Sequence, residues 1–322
     1  MPAAGCEISV AVATRGRPER LGRLLDSLEA QTLPPGSFEV LVAVDGPDEA
    51  TEALLAERAL ASRASLRAVV LDRTAGPGAA RNAAWRMGTA PLVAFTDDDC
   101  EPAPTWLETL LAASREHPQA AFQGPTLPNP ADLANEGPFS RTQRIPGPTP
   151  WYQTCNMAYR RELLERLSGF DEALTDAGED ADLGWRAVQA GTEVRFLPNA
   201  LVLHAIEDIG PVGHLRRAAF GGGSIRIYKR YPELRRRTAF ARIFWKRTHA
   251  FLLLAAAGLF TGRRYRPALL LTLPYAKGLR GRARQRAQGW QVPGLAAFLV
   301  LWDLVDLATA VKASIRYRLP MI

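Results

Sequence analysis

Three adjacent carboxylates, Asp97-Asp98-Asp99, follow the apolar run Val93-Ala94-Phe95-Thr96. At the end of an extended segment they repel one another, and burying them unpartnered is expensive, so a bound divalent cation is one economical explanation. A solvated acidic loop is the other. Alternate residues of an extended segment point the same way, so Asp97 and Asp99 share a face, where a hard cation keeps sites free for diphosphate oxygens. A second acidic group, Glu179-Asp180-Ala181-Asp182, follows the turn Thr175-Asp176-Ala177-Gly178. Acidic residues at a helix start are ordinary capping chemistry, but a carboxylate on such a loop also reaches an open cleft as a general base. His204, just after Leu201-Val202-Leu203, is either a core imidazole or a ligand completing a metal shell.

Two further motifs point toward a phosphorylated ligand. Gly76-Pro77-Gly78-Ala79-Ala80-Arg81-Asn82 sets glycines ahead of a helix, exposing backbone N–H groups, and Arg81 in the first turns adds charge toward a phosphate. It is neither a GxGxxG fingerprint nor a GxxxxGK[ST] loop, so a dinucleotide site and a P-loop are both unsupported. Asp45-Gly46 closes another apolar run; the aspartate either accepts hydrogen bonds from a nucleobase or ribose or makes a turn.

The elements that must position these residues are legible from Ile8 to about Pro125. Short β-rich runs, Ile8–Ala13, Phe38–Val44, Leu66–Leu71 and Leu92–Phe95, alternate with helical patterns near Glu19–Gln31, Glu49–Arg63 and Gly78–Met87. That alternation predicts a parallel sheet covered by helices, in which ligands sit at the carboxyl ends of the strands. The residues there are Thr14 to Arg17, Asp45-Gly46, Asp72-Arg73 and Asp97 to Asp99. Residues 125–150 are rich in Pro, Gly and polar residues and are expected to form a mobile loop. A helix at Arg161–Leu167, another from the acidic run to Ala190 and a strand near Glu193–Leu197 complete the pattern.

The chain has 322 residues, 47% hydrophobic and 23% charged, enough for one large core or two modest ones and unlike a disordered or fibrous protein. Three cysteines, Cys6, Cys100 and Cys155, form no CxxC pair, so no disulfide framework or thiolate zinc site is indicated and a reducing compartment fits. Residues 1–20 carry Glu7, Arg15, Arg17, Glu19 and Arg20 around a short apolar run, unlike a signal peptide, so a cytoplasmic location is expected. The net charge of +7 hides an asymmetry, because residues 1–200 carry −10 and residues 201–322 carry +17. Between Glu233 and Asp303 no acidic residue occurs, while 14 Lys and Arg are interleaved with apolar runs. Such a stretch suits an anionic surface, membrane headgroups or nucleic acid. Thr248–Gly262 and Pro267–Ala276 are shorter than the ~20 residues of a spanning helix. Trp290–Ala310 is long enough, but Asp303 and Asp306 would each cost about 2.5–3.5 kcal/mol at mid-bilayer. Basic linkers with Trp245, Tyr265 and Trp290 at the edges suggest helices lying in the interface, at the inner face of the cell membrane; a buried helical subdomain packed on the sheet is the alternative.

In order and spacing these features resemble an inverting family 2 glycosyltransferase of the GT-A fold, over roughly Ile8–His204. The resemblance is carried by Thr14-Arg15-Gly16-Arg17-Pro18 with the helix Leu21–Gln31, Val44-Asp45-Gly46, Gly78–Asn82 and Asp97-Asp98-Asp99. Thr154-Cys155-Asn156-Met157-Ala158 with Arg160-Arg161, and Gly178-Glu179-Asp180-Ala181-Asp182, complete it. It implies a mostly parallel α/β sheet, with residues 1–125 binding a nucleotide-diphosphate sugar and 126–214 an acceptor, followed by a basic helical region, 215–322. It further implies Thr14, Arg15, Arg17, Asp45, Arg81, Asp97 and Asp98 on the donor, and Asp97 and Asp99 with His204 on Mn²⁺ or Mg²⁺. Asp180 would be the catalytic base with Glu179 beside it, and Trp151 and Asn156 would face the acceptor, the indole stacking on a sugar or else anchoring the core. Gly46-Pro47 stands where many members carry Gly-Ser, so the resemblance does not imply a side-chain contact there.

The basic C-terminal region suggests a lipid-linked saccharide or nascent cell-surface polysaccharide as acceptor. The rivals are a sugar-phosphate nucleotidyltransferase, for which Thr14–Arg17 supplies charge but only one glycine, and a non-catalytic membrane-bound adaptor, against which Asp97, Asp99 and Asp180 argue. A nucleic-acid binder is disfavoured, because the aromatic spacing in the basic half matches no RNA-binding sheet motif.

Overall fold

The computed structural model describes residues 5–321 except 176, 288 and 290, so Asp176 of the acidic turn and Trp290 lie outside the described residues. The chain divides into two compact units, one built from the chain up to Leu133 with Thr142–Ile206, the other from Ala134–Arg141 with the chain from Glu207 onward.

In the first unit the elements are β1 (Ile8–Thr14), α1 (Pro18–Glu29), β2 (Phe38–Val44), α2 (Glu49–Ala61), β3 (Ser65–Val70), α3 (Pro77–Met87), β4 (Leu92–Asp97), β5 (Cys100–Pro102), α4 (Trp106–Glu116), β6 (Ala121–Gln123) and β7 (Thr126–Pro128). After β8 (Ser140–Arg141), which belongs to the second unit, come β9 (Met157–Arg160), α5 (Arg161–Arg166), α6 (Glu179–Gln189), β10 (Val194–Phe196) and β11 (Val202–His204). A seven-stranded sheet runs β10-β6-β9-β4-β1-β2-β3, parallel except for β9. β2 is buried along its whole length and β1 at all but one residue, as strands covered on both faces must be, which is why they read as continuous apolar runs. Leu21, Leu24, Leu25 and Leu28 of α1 are all buried, so the three- and four-residue spacing forms one core-facing stripe.

Two small features carry the site. β9 pairs antiparallel with β4, Phe95 opposite Met157, so the turn before β9 lies at the carboxyl end of β4. β11 pairs with β5, His204 opposite Cys100, and with β7, His204 opposite Pro128. The segment expected to be a mobile loop is therefore partly structured. Thr126–Pro128 is a strand and Thr126 exchanges backbone hydrogen bonds with Ile145, because those backbone groups would otherwise be left unpaired next to the sheet.

The second unit contains a two-stranded ribbon of β8 and β12 (Glu207–Asp208), then α7 (Gly210–Phe220), α8 (Gly223–Arg230), α9 (Pro232–Thr238), α10 (Arg247–Gly262), α11 (Leu273–Arg286) and α12 (Gln291–Tyr317). Its packing centres on α12, which buries Leu295, Leu299, Ala310 and Ala313 among neighbouring helices. Asp303 and Asp306, costly if left in lipid, are buried and paired: Tyr275 and Arg282 donate to Asp303, and Lys246 donates to Asp306 with the His249 ring 3.0 Å from the same carboxylate. By length and composition α12 is the one helix, among the described residues, able to cross a membrane. Leu301, Leu304, Val311 and Ile315 are exposed along its other side.

Gly184 in α6 illustrates how close the packing is, since a Cβ there would sit 2.2 Å from the Tyr152 ring. Gly→Ala within a helix ordinarily stabilises by roughly 0.5–1 kcal/mol. Here Gly184→Ala is expected to lower the melting temperature, with a cost of about 1–3 kcal/mol from overpacking, as measured by calorimetry on the full chain. A rise would show that Tyr152 is not packed there.

Candidate active site

At the carboxyl ends of β1 and β4 the carboxylates are divided between two arginines. Asp98 is buried, accepting from Thr14 Oγ1 at 2.8 Å, with Arg17 3.3 Å away. Burial pushes its carboxyl up to about 6, although Arg17 opposes the shift. Arg17 Nη1 donates to Asp99 Oδ2 at 2.7 Å. On the other side Arg81, buried in α3, donates to Asp97 Oδ1 at 2.8 Å and to Glu179 Oε1 at 2.8 Å, and Asp180 Oδ1 lies 3.8 Å away. Burial works against the Arg81 charge, but Asp97, Asp180 and Glu179 outweigh it and hold the guanidinium firmly protonated. For Asp97, burial favours the neutral form while Arg81 more than reverses this, leaving the carboxyl below the usual range.

Local structure explains why Arg81 can reach both sides. It sits in the second turn of α3, which Asn82 ties to the chain leading into α6: Asn82 donates to Phe170 O and accepts from Phe170 N, both at 2.9 Å, and accepts from the Trp85 indole at 3.0 Å. α6 itself starts after Gly178, whose φ of 98° a side chain would oppose. The two acidic residues of this helix start then differ in access. The Glu179 side chain is 8% exposed and the Asp180 side chain 23%. Asp180 Oδ2 accepts from Thr154 N at 3.2 Å, in the turn before β9. Burial and the Glu179 charge push its carboxyl well above the usual range, with Arg81 opposing. A carboxyl shifted in that direction is suited to take a proton.

β11 brings His204 across more than a hundred residues to Asp99. Its Nε2 stands 3.4 Å from Asp99 Oδ1, while Nδ1 lies 2.8 Å from Ala205 O and 3.4 Å from Thr142 Oγ1. Contacts to one ring nitrogen leave the other free to face a cation. Ligands about 2.1 Å from a metal on adjacent octahedral corners stand about 3 Å apart, so this oxygen and nitrogen fit one ion with little movement. Cys100 Sγ is in the same group, all within 4.8 Å, but burial pushes its thiol well up, and a neutral thiol is a poor partner for a hard cation. The donor set is therefore carboxylate and imidazole.

Several expectations change. Arg81, expected to face a phosphate, is engaged by Glu179 and Asp97 through its two terminal nitrogens, while its buried Nε has no hydrogen-bond partner among the described residues. Asn156 does not face an acceptor: it is buried, its Nδ2 donates to Pro125 O and Ala200 O at 2.8 and 2.7 Å, and its Oδ1 accepts from the Trp106 indole at 3.0 Å. Asp45 braces the loop into α3, accepting from Ala75 N at 2.7 Å and Gly76 N at 3.2 Å, which is the turn alternative. Arg15 is exposed and Trp151 partly exposed, the latter in a segment held on α6 through Trp185 Nε1 donating to Pro150 O at 3.0 Å. Asn82 and Thr154, whose contacts position Arg81 and Asp180, were not singled out, although both lie inside motifs that were.

Asn156→Ala leaves the Trp106 indole N–H and the Ala200 carbonyl without their partner, while Pro125 O keeps its bond from Val202 N, a loss of about 2–4 kcal/mol given roughly 1–3 kcal/mol per orphaned buried group. A lower melting temperature with unchanged KM for any acceptor is the expected result; a KM effect without a stability effect would restore the acceptor role.

The chain was compared with known proteins. A model described as Glycosyl transferase family 2 matches residues 9–168. A pre-mycofactocin glycosyltransferase of Mycobacterium tuberculosis is 27% identical over 242 residues, covering 70% of this chain and 48% of that protein, so the chain spans about half that relative's length. Glycosyltransferase AglE of Haloferax volcanii is 25% identical over 248 residues, covering 74% of this chain and 79% of its own. Among solved structures, a mannosyltransferase of Pyrobaculum calidifontis in complex with GDP-Man and Mn²⁺ aligns with a TM-score of 0.58 at 21% identity, over 98% of this chain and 88% of that one.

Proposed function

We propose that this chain, whose residues 9–168 match the Glycosyl transferase family 2 model and whose fold is of GT-A type, is a glycosyltransferase of that family and moves a sugar from a nucleoside-diphosphate donor to a hydroxyl acceptor by a single inverting displacement. The observation that carries this is the Arg81 guanidinium, which touches Asp97 beside the cation donors and lies 3.8 Å from Asp180. Cation donors and a basic carboxyl thus share one strand-end cleft.

Asp97, Asp99 and His204 are the residues to hold Mn²⁺ or Mg²⁺, which when bound supplies Lewis-acid neutralisation of charge on the leaving diphosphate. Thr14, Arg15 and Arg17 close the donor side at the end of β1, with Asp98 fixing Arg17. Asp180 takes the proton of the acceptor hydroxyl as that oxygen bonds to the anomeric carbon. The bond from this carbon to the diphosphate oxygen breaks with its electron pair leaving on the diphosphate. Attack from the opposite face inverts the configuration without a covalent intermediate. Glu179, held by Arg81, keeps the Asp180 carboxyl raised by its charge. Trp151 offers an indole face for a sugar. A glycan or lipid-linked saccharide at the membrane is the acceptor class best supported, by the +17 charge of residues 201–322 and the exposed apolar side of α12.

A panel of nucleotide sugars incubated with Mn²⁺ tests this. One donor is expected to be hydrolysed slowly, Asp99→Ala to lose metal-dependent donor binding, and Asp180→Asn to keep binding while turnover falls about 10²–10⁴-fold. Silence across the panel, or full turnover in Asp180→Asn, would contradict the assignment. The pH profile carries a sign as well. A base acts only when deprotonated and the Asp180 carboxyl is raised, so kcat/KM is expected to climb with pH through a midpoint above the ordinary carboxylate range. A rate already flat down to the ordinary carboxylate range would point to another base.

A further inference from the structure

The second unit contains a cavity of about 300 Å³ between the start of α10, the end of α11 and the middle of α12, lined by Lys246, Arg247, Arg282, Arg286, Trp302 and the two aspartates of α12, among others. Its charges do not cancel. Asp306 is matched by Lys246 and Asp303 by Arg282, which leaves Arg247 and Arg286 in excess. Among the described residues neither is hydrogen-bonded by a carboxylate; Arg247 lies over the Phe240 ring at 5.6 Å and Arg286 over Trp302 at 5.6 Å. Arg286 is also held below its usual value by burial and by the like charge of Arg282, with Glu136 opposing. Arg282 Nε is buried without a hydrogen-bond partner, a donor that a native structure rarely leaves unused. The start of α10 adds amide N–H groups with no side-chain cap, which favour an anion at the same end.

We propose that this cavity binds a phosphate group. Two arginines with spare charge, a third with an idle N–H and a helix N-terminus suit a tetrahedral oxyanion. The aromatic wall at Trp302 suits a phosphate carried on an apolar group such as lipid. The site lies wholly within the second unit and does not rest on the transferase assignment.

The test uses the full chain, vesicles of phosphatidylcholine with and without phosphatidic acid, and soluble glycerol phosphate. The pocket variant Arg247→Glu/Arg286→Glu alters exposed residues outside the buried ion pairs. Arg263→Glu/Arg264→Glu makes the same charge change beyond the cavity. The wild type and the outer variant are expected to sediment with phosphatidic acid vesicles and the pocket variant to lose roughly tenfold or more in affinity, given what each basic residue contributes near an anionic surface. Calorimetric binding of glycerol phosphate by wild type and not by the pocket variant, without vesicle binding, would support the pocket and assign it a soluble phosphate. Equal losses in both variants, or no binding of either probe by wild type, would overturn it. Nucleotide-sugar hydrolysis is expected to survive in the pocket variant, so failure here is separable from failure of the transferase assignment.

Discussion

A single guanidinium shared among three carboxylates is the constraint around which the first unit is arranged. Arg81 is buried, and a buried charge without partners would cost several kcal/mol. Asp97 and Glu179 satisfy it, and it in turn makes their close approach tolerable. Removing either side would leave the other uncompensated in a water-poor cleft. The bidentate fork of an arginine, unlike the point charge of a lysine, holds two acids from different elements in a defined orientation, which is what links β4 to the start of α6.

The same interaction separates tasks between otherwise similar residues. Asp97 is lowered and Asp180 raised, though both lie near the same cation. Asp97 hydrogen-bonds it directly, whereas Asp180 is farther off and sits next to the negative Glu179. One acid is thereby held charged and the other made the stronger base, a division produced by environment alone. Arg17 plays the corresponding part for Asp98 and Asp99 and remains 41% exposed.

Much of this was legible in the sequence, because long apolar strands and amphipathic helices write their periodicity into it. β1 to β4, α1 to α3 and the strand-end location of the acidic residues follow from that pattern. The three- and four-residue strands β5, β7, β9 and β11 do not, being too short to show a period. Yet it is their pairing that sets His204 opposite Cys100 and brings Thr154 to Asp180. Asp45 could not be resolved from its own type, since a carboxylate after a strand serves a loop or a ligand equally well. The pairing of Arg81 with Asp97 and Glu179 was not legible, because a basic residue near a glycine-rich helix start ordinarily meets phosphate. Which way it faces depends on α6, a hundred residues further on.

Manganese anomalous scattering from crystals of the full chain grown with Mn²⁺ and a nucleoside diphosphate tests the central claim most directly. The account predicts one peak bonded to Asp97, Asp99 and His204 and to the diphosphate oxygens, with Arg81 still bridging Asp97 and Glu179 and Asp180 free of metal. A peak coordinated by Asp180, or a metal site built without Asp99 and His204, would contradict it.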